Sequence, residues 1–147
     1  MDLAAVRAAA QPYALALLRV MTGLLFLEHG SAKLLGIPAM PGGGQEPNAM
    51  LIFTGAMEFV GGALIVVGLL TTIVAFILSG YMAFAYFIAH APQGFFPLIN
   101  HGEPAILYCF IFLFLAAAGP GAWAIDGARA GRLTGGRRDT WSPTVGS

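Results

Sequence analysis

YALALLRVMTGLLFLEHGSAKLL, residues Tyr13 to Leu35, is apolar and long enough to cross a bilayer. About 20 helical residues, rising about 1.5 Å each, span the hydrocarbon core. The same stretch carries Arg19, Glu28, His29 and Lys33, which a plain anchor would not tolerate. Wound as a helix, Arg19, Gly23, Phe26, Gly30 and Lys33 recur at steps of three or four and share one face. Ionised groups in hydrocarbon turn toward a protein interior or a wet cavity. The helix therefore requires partners, and the rest of the chain has to supply them.

Composition agrees with a membrane setting. Of 147 residues, 58% are hydrophobic and 10% charged, against about 25% charged in soluble domains. The length suits one compact domain. A formal net charge of zero gives no reason to expect a nucleic-acid partner. Cys109 is the only cysteine, so no internal disulfide can form.

Outward from the first helix, Met1 to Pro12 reads as a short amphipathic lead-in with Asp2 and Arg7. A cleaved signal is not expected, because a signal's apolar region is shorter and lacks a central arginine such as Arg19. The Gly- and Pro-dense stretch Gly36 to Asn48 cannot stay helical and reads as a surface loop. A second span is expected at residues 49–70 and a third at 71–91, joined by a turn at Gly68 to Thr72 that forces antiparallel neighbours. Pro92 to Gly102 forms a second loop, whose Phe95 and Phe96 suit the membrane interface or a lid. A fourth span, residues 103–119, opens with Pro104 in its first turn and is short for a full crossing. The expected fold is an all-α antiparallel four-helix membrane bundle over residues 1–126, followed by a basic tail, residues 127–147, that frays after Asp126. Arg7, Arg129, Arg132, Arg137 and Arg138 flank the spans while both long loops lack Lys and Arg, which places both termini in the cytoplasm.

That topology puts His29, Lys33, Glu58, His90, His101 and Glu103 in the outer half. Glu58 shares a face with small residues including Gly55, Gly61 and Gly62, so it points into the bundle. It reads either as half of a buried pair with Lys33 or His29, or as a proton-carrying carboxylate beside a ligand cavity. Tyr86 shares a face with His90 and would line the same cavity. Tyr81, Tyr86, Phe84 and Phe87, at helical spacing, otherwise read as packing rather than a cofactor box. A bis-histidine haem on His29 and His90 is not expected, nor is a metal on His29, Glu58, His90 and Glu103, because no tight ligand motif such as His-Glu-x-x-His is present. Arg19 is expected to pair with Asp126, pinning the first helix where the chain leaves the membrane. Glu28 lies off the polar stripe and has no assigned role. No nucleophile elbow, phosphate-binding glycine loop or Cys-x-x-Cys occurs, so the sequence chemistry does not itself declare an enzyme.

Taken in order, the pieces resemble the DoxX family of small four-helix bacterial membrane proteins. The matching residues are Arg19, Gly23 and Phe26; His29-Gly30 with Lys33-Leu34; Glu58 with Gly61-Gly62 and Gly68-Leu69; Phe96-Pro97; Gly102-Glu103 with Ala105 and Leu107-Tyr108; and Gly119-Pro120-Gly121 with Asp126. This chain departs from the pattern at His101, where the family usually has glycine, at Pro104, and at Ala124, which replaces a serine. The resemblance implies a bacterial cytoplasmic-membrane protein acting as an accessory or anchor subunit of a redox complex, with a protein partner. A quinone-linked component with an outer polar cavity is the alternative, and a small-molecule or lipid transporter ranks last because broken-helix repeats are not evident.

Overall fold

The computed structural model describes residues 2–39 and 46–135, with side chains through residue 131. The middle of the first loop, the Arg132 side chain, and Arg137 and Arg138 of the tail lie outside the described residues. Five helices and no strand occur within them: α1 (Leu3–Leu35), α2 (Ala49–Val67), α3 (Thr71–Ala85), α4 (Glu103–Ala118) and α5 (Ile125–Gly135). Beyond α3 the chain runs on through a π-helical turn, Tyr86–His90, and a 3-10 turn, Ala91–Gln93. Pro92 explains the change of winding, since it has no N–H and its ring clashes with the carbonyl four residues back. Three of these segments are long and apolar enough to cross a membrane: Leu3–Leu35, Ala49–Val67 and Thr71–Gln93. The 16-residue α4 is shorter, reaching about 24 Å at 1.5 Å per residue.

Helix ends fall where side chains satisfy open backbone groups. The Asp2 carboxylate accepts from Ala4 N–H at 2.9 Å at the start of α1, and the Asn48 amide oxygen accepts from Leu51 N–H at 2.9 Å at the start of α2. Gly68 closes α2 in the left-handed region at φ 66°, which glycine adopts without strain. Leu70, next to it, is also left-handed at φ 53° and caps α3 with no local side-chain bond. The first helix starts ten residues before the expected span, so the lead-in is helical and Pro12 sits inside α1. Its carbonyl accepts from Ala122 N–H at 2.9 Å, tying α1 to the segment after α4.

Packing pairs α1 with α2 and α3 with α4 most extensively, while α2 meets α3 over a shorter stretch. The first pairing depends on glycine. A Cβ on Gly30 would stand 2.3 Å from the Phe59 nitrogen, and one on Gly62 would stand 2.6 Å from the Leu27 nitrogen. Backbones meet there, as small residues allow between helices in lipid. Phe26, Ile65, Leu78, Phe112 and Leu115 form the core, with the Phe26 ring edge-on to Phe112 at 5.0 Å between centroids. Large apolar side chains such as Phe53, Phe76, Phe110 and Ile73 face outward, the distribution expected where the solvent is hydrocarbon.

α5 corrects the sequence expectation, since the chain stays helical to Gly135 instead of fraying after Asp126. The expected Arg19–Asp126 pair is not a direct salt bridge: among the described residues only Lys33 and Glu58 make one. Arg19 is fully buried, and its guanidinium donates to the carbonyls of Pro120, Ala122 and Trp123. Asp126 instead accepts from Leu70 N–H at 2.9 Å and Thr71 N–H at 2.8 Å. The reason is local supply. The 120–123 turn leaves carbonyls that a forked donor reaches together, and the first turn of α3 leaves open N–H groups that lack a local cap. Arg19 therefore bonds the turn that follows α4 and Asp126 the start of α3, while the two opposite charges still act on one another through space.

Candidate functional site

Close approach of α1 and α2 at Gly30 brings Lys33 across to Glu58. The Lys33 ammonium donates to Glu58 Oε1 at 2.6 Å. From α3 the Tyr81 hydroxyl donates to the same oxygen at 2.9 Å. Glu58 is 5% exposed, and its other oxygen, Oε2, is buried with no hydrogen-bond partner. A buried carboxylate oxygen without a donor costs about 1–3 kcal/mol, so it marks a place where a further donor belongs.

Glu58 lines a cavity of about 420 Å³, within the range of small-ligand pockets. Lys33, His29 and Tyr108 also line it, together with Thr54, Tyr81 and His90. His101 lines it too, and the remaining walls are apolar, among them Phe26, Phe53, Met82, Phe84 and Ile88. Thr54 donates to the Leu51 carbonyl at 3.2 Å. His90 Nδ1 meets the Asn100 carbonyl at 3.0 Å, and His29 Nδ1 meets the Leu25 carbonyl at 2.8 Å. A carbonyl only accepts, so each ring donates through Nδ1 and keeps Nε2 as an acceptor when neutral. The π turn carries His90, and Asn100 locks the following loop by donating to the Gly94 carbonyl and accepting from Gly102 N–H.

Of the residues singled out from sequence, the structure brings His29, Lys33, Glu58, His90 and His101 together around this cavity. Tyr86 and Glu103 are not among its lining residues. The Tyr86 ring stacks on His90 at 6.4 Å and meets Phe87 edge-on at 5.4 Å, and Glu103 is exposed in the first turn of α4. His101 lies at the cavity with a left-handed φ of 56°. That conformation favours glycine and explains why a glycine would suit the position. Tyr81 and Tyr108 were missed as site residues. The signal available was the phenol itself, because a tyrosine hydroxyl inside an apolar span has to find a partner. Among the described residues no three His, Cys, Asp or Glu side chains gather in a way that could hold a metal ion.

Apolar spanning helices, a lipid-facing exterior and a polar cluster held between them define a multi-pass helical membrane protein with an internal cavity. A DoxX family model matches residues 14–91, and the chain belongs to the DoxX family. It is also similar to an uncharacterized protein of Haemophilus influenzae, 46% identical over 121 residues, which cover 79% of this chain and 90% of that relative. No solved structure matches the chain.

Proposed function

We propose that this protein crosses the bacterial cytoplasmic membrane four times as an antiparallel bundle with both termini inside. In this reading it serves as an accessory or anchor subunit of a membrane redox complex and holds a quinone-type ligand in its outer-half cavity. The observation that carries the reading is the Glu58 carboxylate, buried at the cavity wall with Oε1 doubly bonded and Oε2 unpartnered. The residues present fit such a head. A hydroxyl on the ligand finds an acceptor in Glu58 Oε2, and a carbonyl finds the remaining N–H groups of the Lys33 ammonium. Phe53, Met82, Phe84 and Ile88 offer apolar wall for a ring and the start of a tail. A quinone supplies paired electron and proton transfer when bound. What this chain contributes is orientation of the head, exclusion of water by the apolar walls, and a carboxylate whose charge Lys33 and Tyr81 hold in place. The basic flanks support the topology, and small size with no catalytic motif supports an accessory role.

The test is purification in mild detergent followed by mass analysis of whatever small molecule and protein remain bound. The expected result is an isoprenoid quinone retained by the native chain and lost from Glu58→Gln, with unchanged elution and helical content. Retention of the same molecule by Glu58→Gln, or loss of the folded protein itself, would reduce Glu58 to a structural group.

A further inference from the structure

The cavity's walls differ from side to side. Toward α1 and the segment before α4 they are polar, with His29, Lys33 and His101. Between α2 and α3 they are Met50, Phe53, Phe84 and Ile88, which are also exposed on the outside of the molecule at 57%, 58%, 58% and 56%. A side chain that lines a cavity and faces the exterior stands at an opening; the exposed His29 and His101 do so on the polar side, and these four form a second, wholly apolar mouth. This mouth lies between α2 and α3, which pack against each other far less extensively than α1 with α2 or α3 with α4, on a surface that acyl chains cover in a bilayer. It also lies where the third span leaves regular winding at the Tyr86–His90 π turn, which includes Ile88. π turns interrupt the regular hydrogen-bond ladder and are frequent at functional sites.

We propose that the cavity fills sideways from the bilayer, through a slot between α2 and α3 flanked by Phe53 and Phe84. Its occupant is then a bilayer-dissolved amphiphile with an apolar body and one hydrogen-bonding head that reaches Glu58. This inference rests on the cavity reading above and adds the route and the physical class of the ligand. Four apolar side chains at the mouth offer a polar solute nothing in exchange for its hydration, whereas an apolar body passes from acyl chains to phenyl rings without such a loss. At the inner end the head meets the Glu58 carboxylate, where Oε2 lacks a partner.

The experiment places a reporter thiol in the cavity, Thr54→Cys in a Cys109→Ser background, with the full chain in lipid nanodiscs. Its labelling rate is measured with pyrene maleimide, which enters the bilayer, and with a sulfonated maleimide, which stays in water. Because both reagents carry the same reactive group, the thiol's own reactivity cancels between them. The expected result is labelling by pyrene maleimide that rises about tenfold, a modest change in barrier, when Phe53→Ala widens the slot. The sulfonated reagent should remain slow in both proteins. Phe84→Ala, on the opposite lip, serves if Phe53→Ala does not fold. Entry of the sulfonated reagent at a rate set by His101→Ala would leave the cavity reading standing and overturn the sideways route. Pyrene labelling indifferent to both phenylalanine variants would also overturn it. Failure of both reagents to reach Thr54→Cys would remove the accessible cavity, and both readings with it.

Discussion

Glu58 concentrates the chemistry of the site in one carboxylate with unequal oxygens. Two donors converge on Oε1, and none reaches Oε2. Removing the cation leaves a buried negative charge, so Lys33→Met is expected to cost about 2–3 kcal/mol, below the fully buried range because Lys33 is partly solvated. Adding Glu58→Gln should recover at least half of that loss, because the uncompensated charge goes with it. Denaturant titration of the single and double variants in detergent micelles measures both. The sequence already turned Lys33 and Glu58 toward one another through their helical faces. It did not reveal Tyr81 as the third member, because a tyrosine among phenylalanines at helical spacing reads as packing until the facing helix is in place. Arg19 shows the same limit more sharply. Its need for a partner was plain from one buried cation in an apolar run, yet the partners are backbone carbonyls, which a list of side chains does not display.

Helix ends and helix contacts follow from residues that sequence reading handles well when the cue is local. Asn48 and Pro104 mark starts, and Gly36, Gly68 and Gly119 mark ends, close to the expected boundaries. α5 escaped because Gly127, Gly131 and Gly135 lower its intrinsic helicity, and because Asp126, in its first turn, finds its acceptor role on another helix. Gly30→Ala drives a methyl into the α2 backbone and is expected to cost about 1–3 kcal/mol as overpacking. Gly80, in the middle of α3, has nothing within 4 Å of an added Cβ, so Gly80→Ala should instead raise stability by up to about 1 kcal/mol. Thermal melts of the two variants should move in opposite directions. At the α3 start, burial pushes the Asp126 carboxyl up, but the Thr71 and Leu70 N–H groups and the Arg129 charge outweigh it and hold the group below the ordinary aspartate range. A pKa depressed by folding adds stability that is present above about pH 4 and disappears as pH falls through the lower folded value. Asp126→Ala should therefore lose about 1 kcal/mol at neutral pH, as for other cap removals, and should show a flatter stability profile below pH 4 than the native chain. Melting temperature followed across that acid range checks the sign.

At the scale of the molecule, the helices disagree about how thick a bilayer should be. α1 measures about 50 Å over its 33 residues, and the third span about 34 Å over its 23, whereas α4 covers only about 24 Å. In the four-span reading proposed above, a hydrocarbon core of about 30 Å leaves α4 roughly 6 Å short. Long helices absorb such a mismatch by tilting or by extending into water, but a short one makes the lipid thin around it, at fractions of a kcal/mol per Å. The chain should thus melt higher in dimyristoyl than in dioleoyl phosphatidylcholine, as read by helical ellipticity on heating. The opposite order would mean that the exposed Phe95, Phe96, Leu98 and Ile99 dip into the acyl region and restore the missing height. If the four-span reading and the thin-bilayer preference both hold, the shortest of the four apolar rods makes this protein a local thinner of its membrane, drawing companions of similar stature to its α4 flank and excluding taller ones.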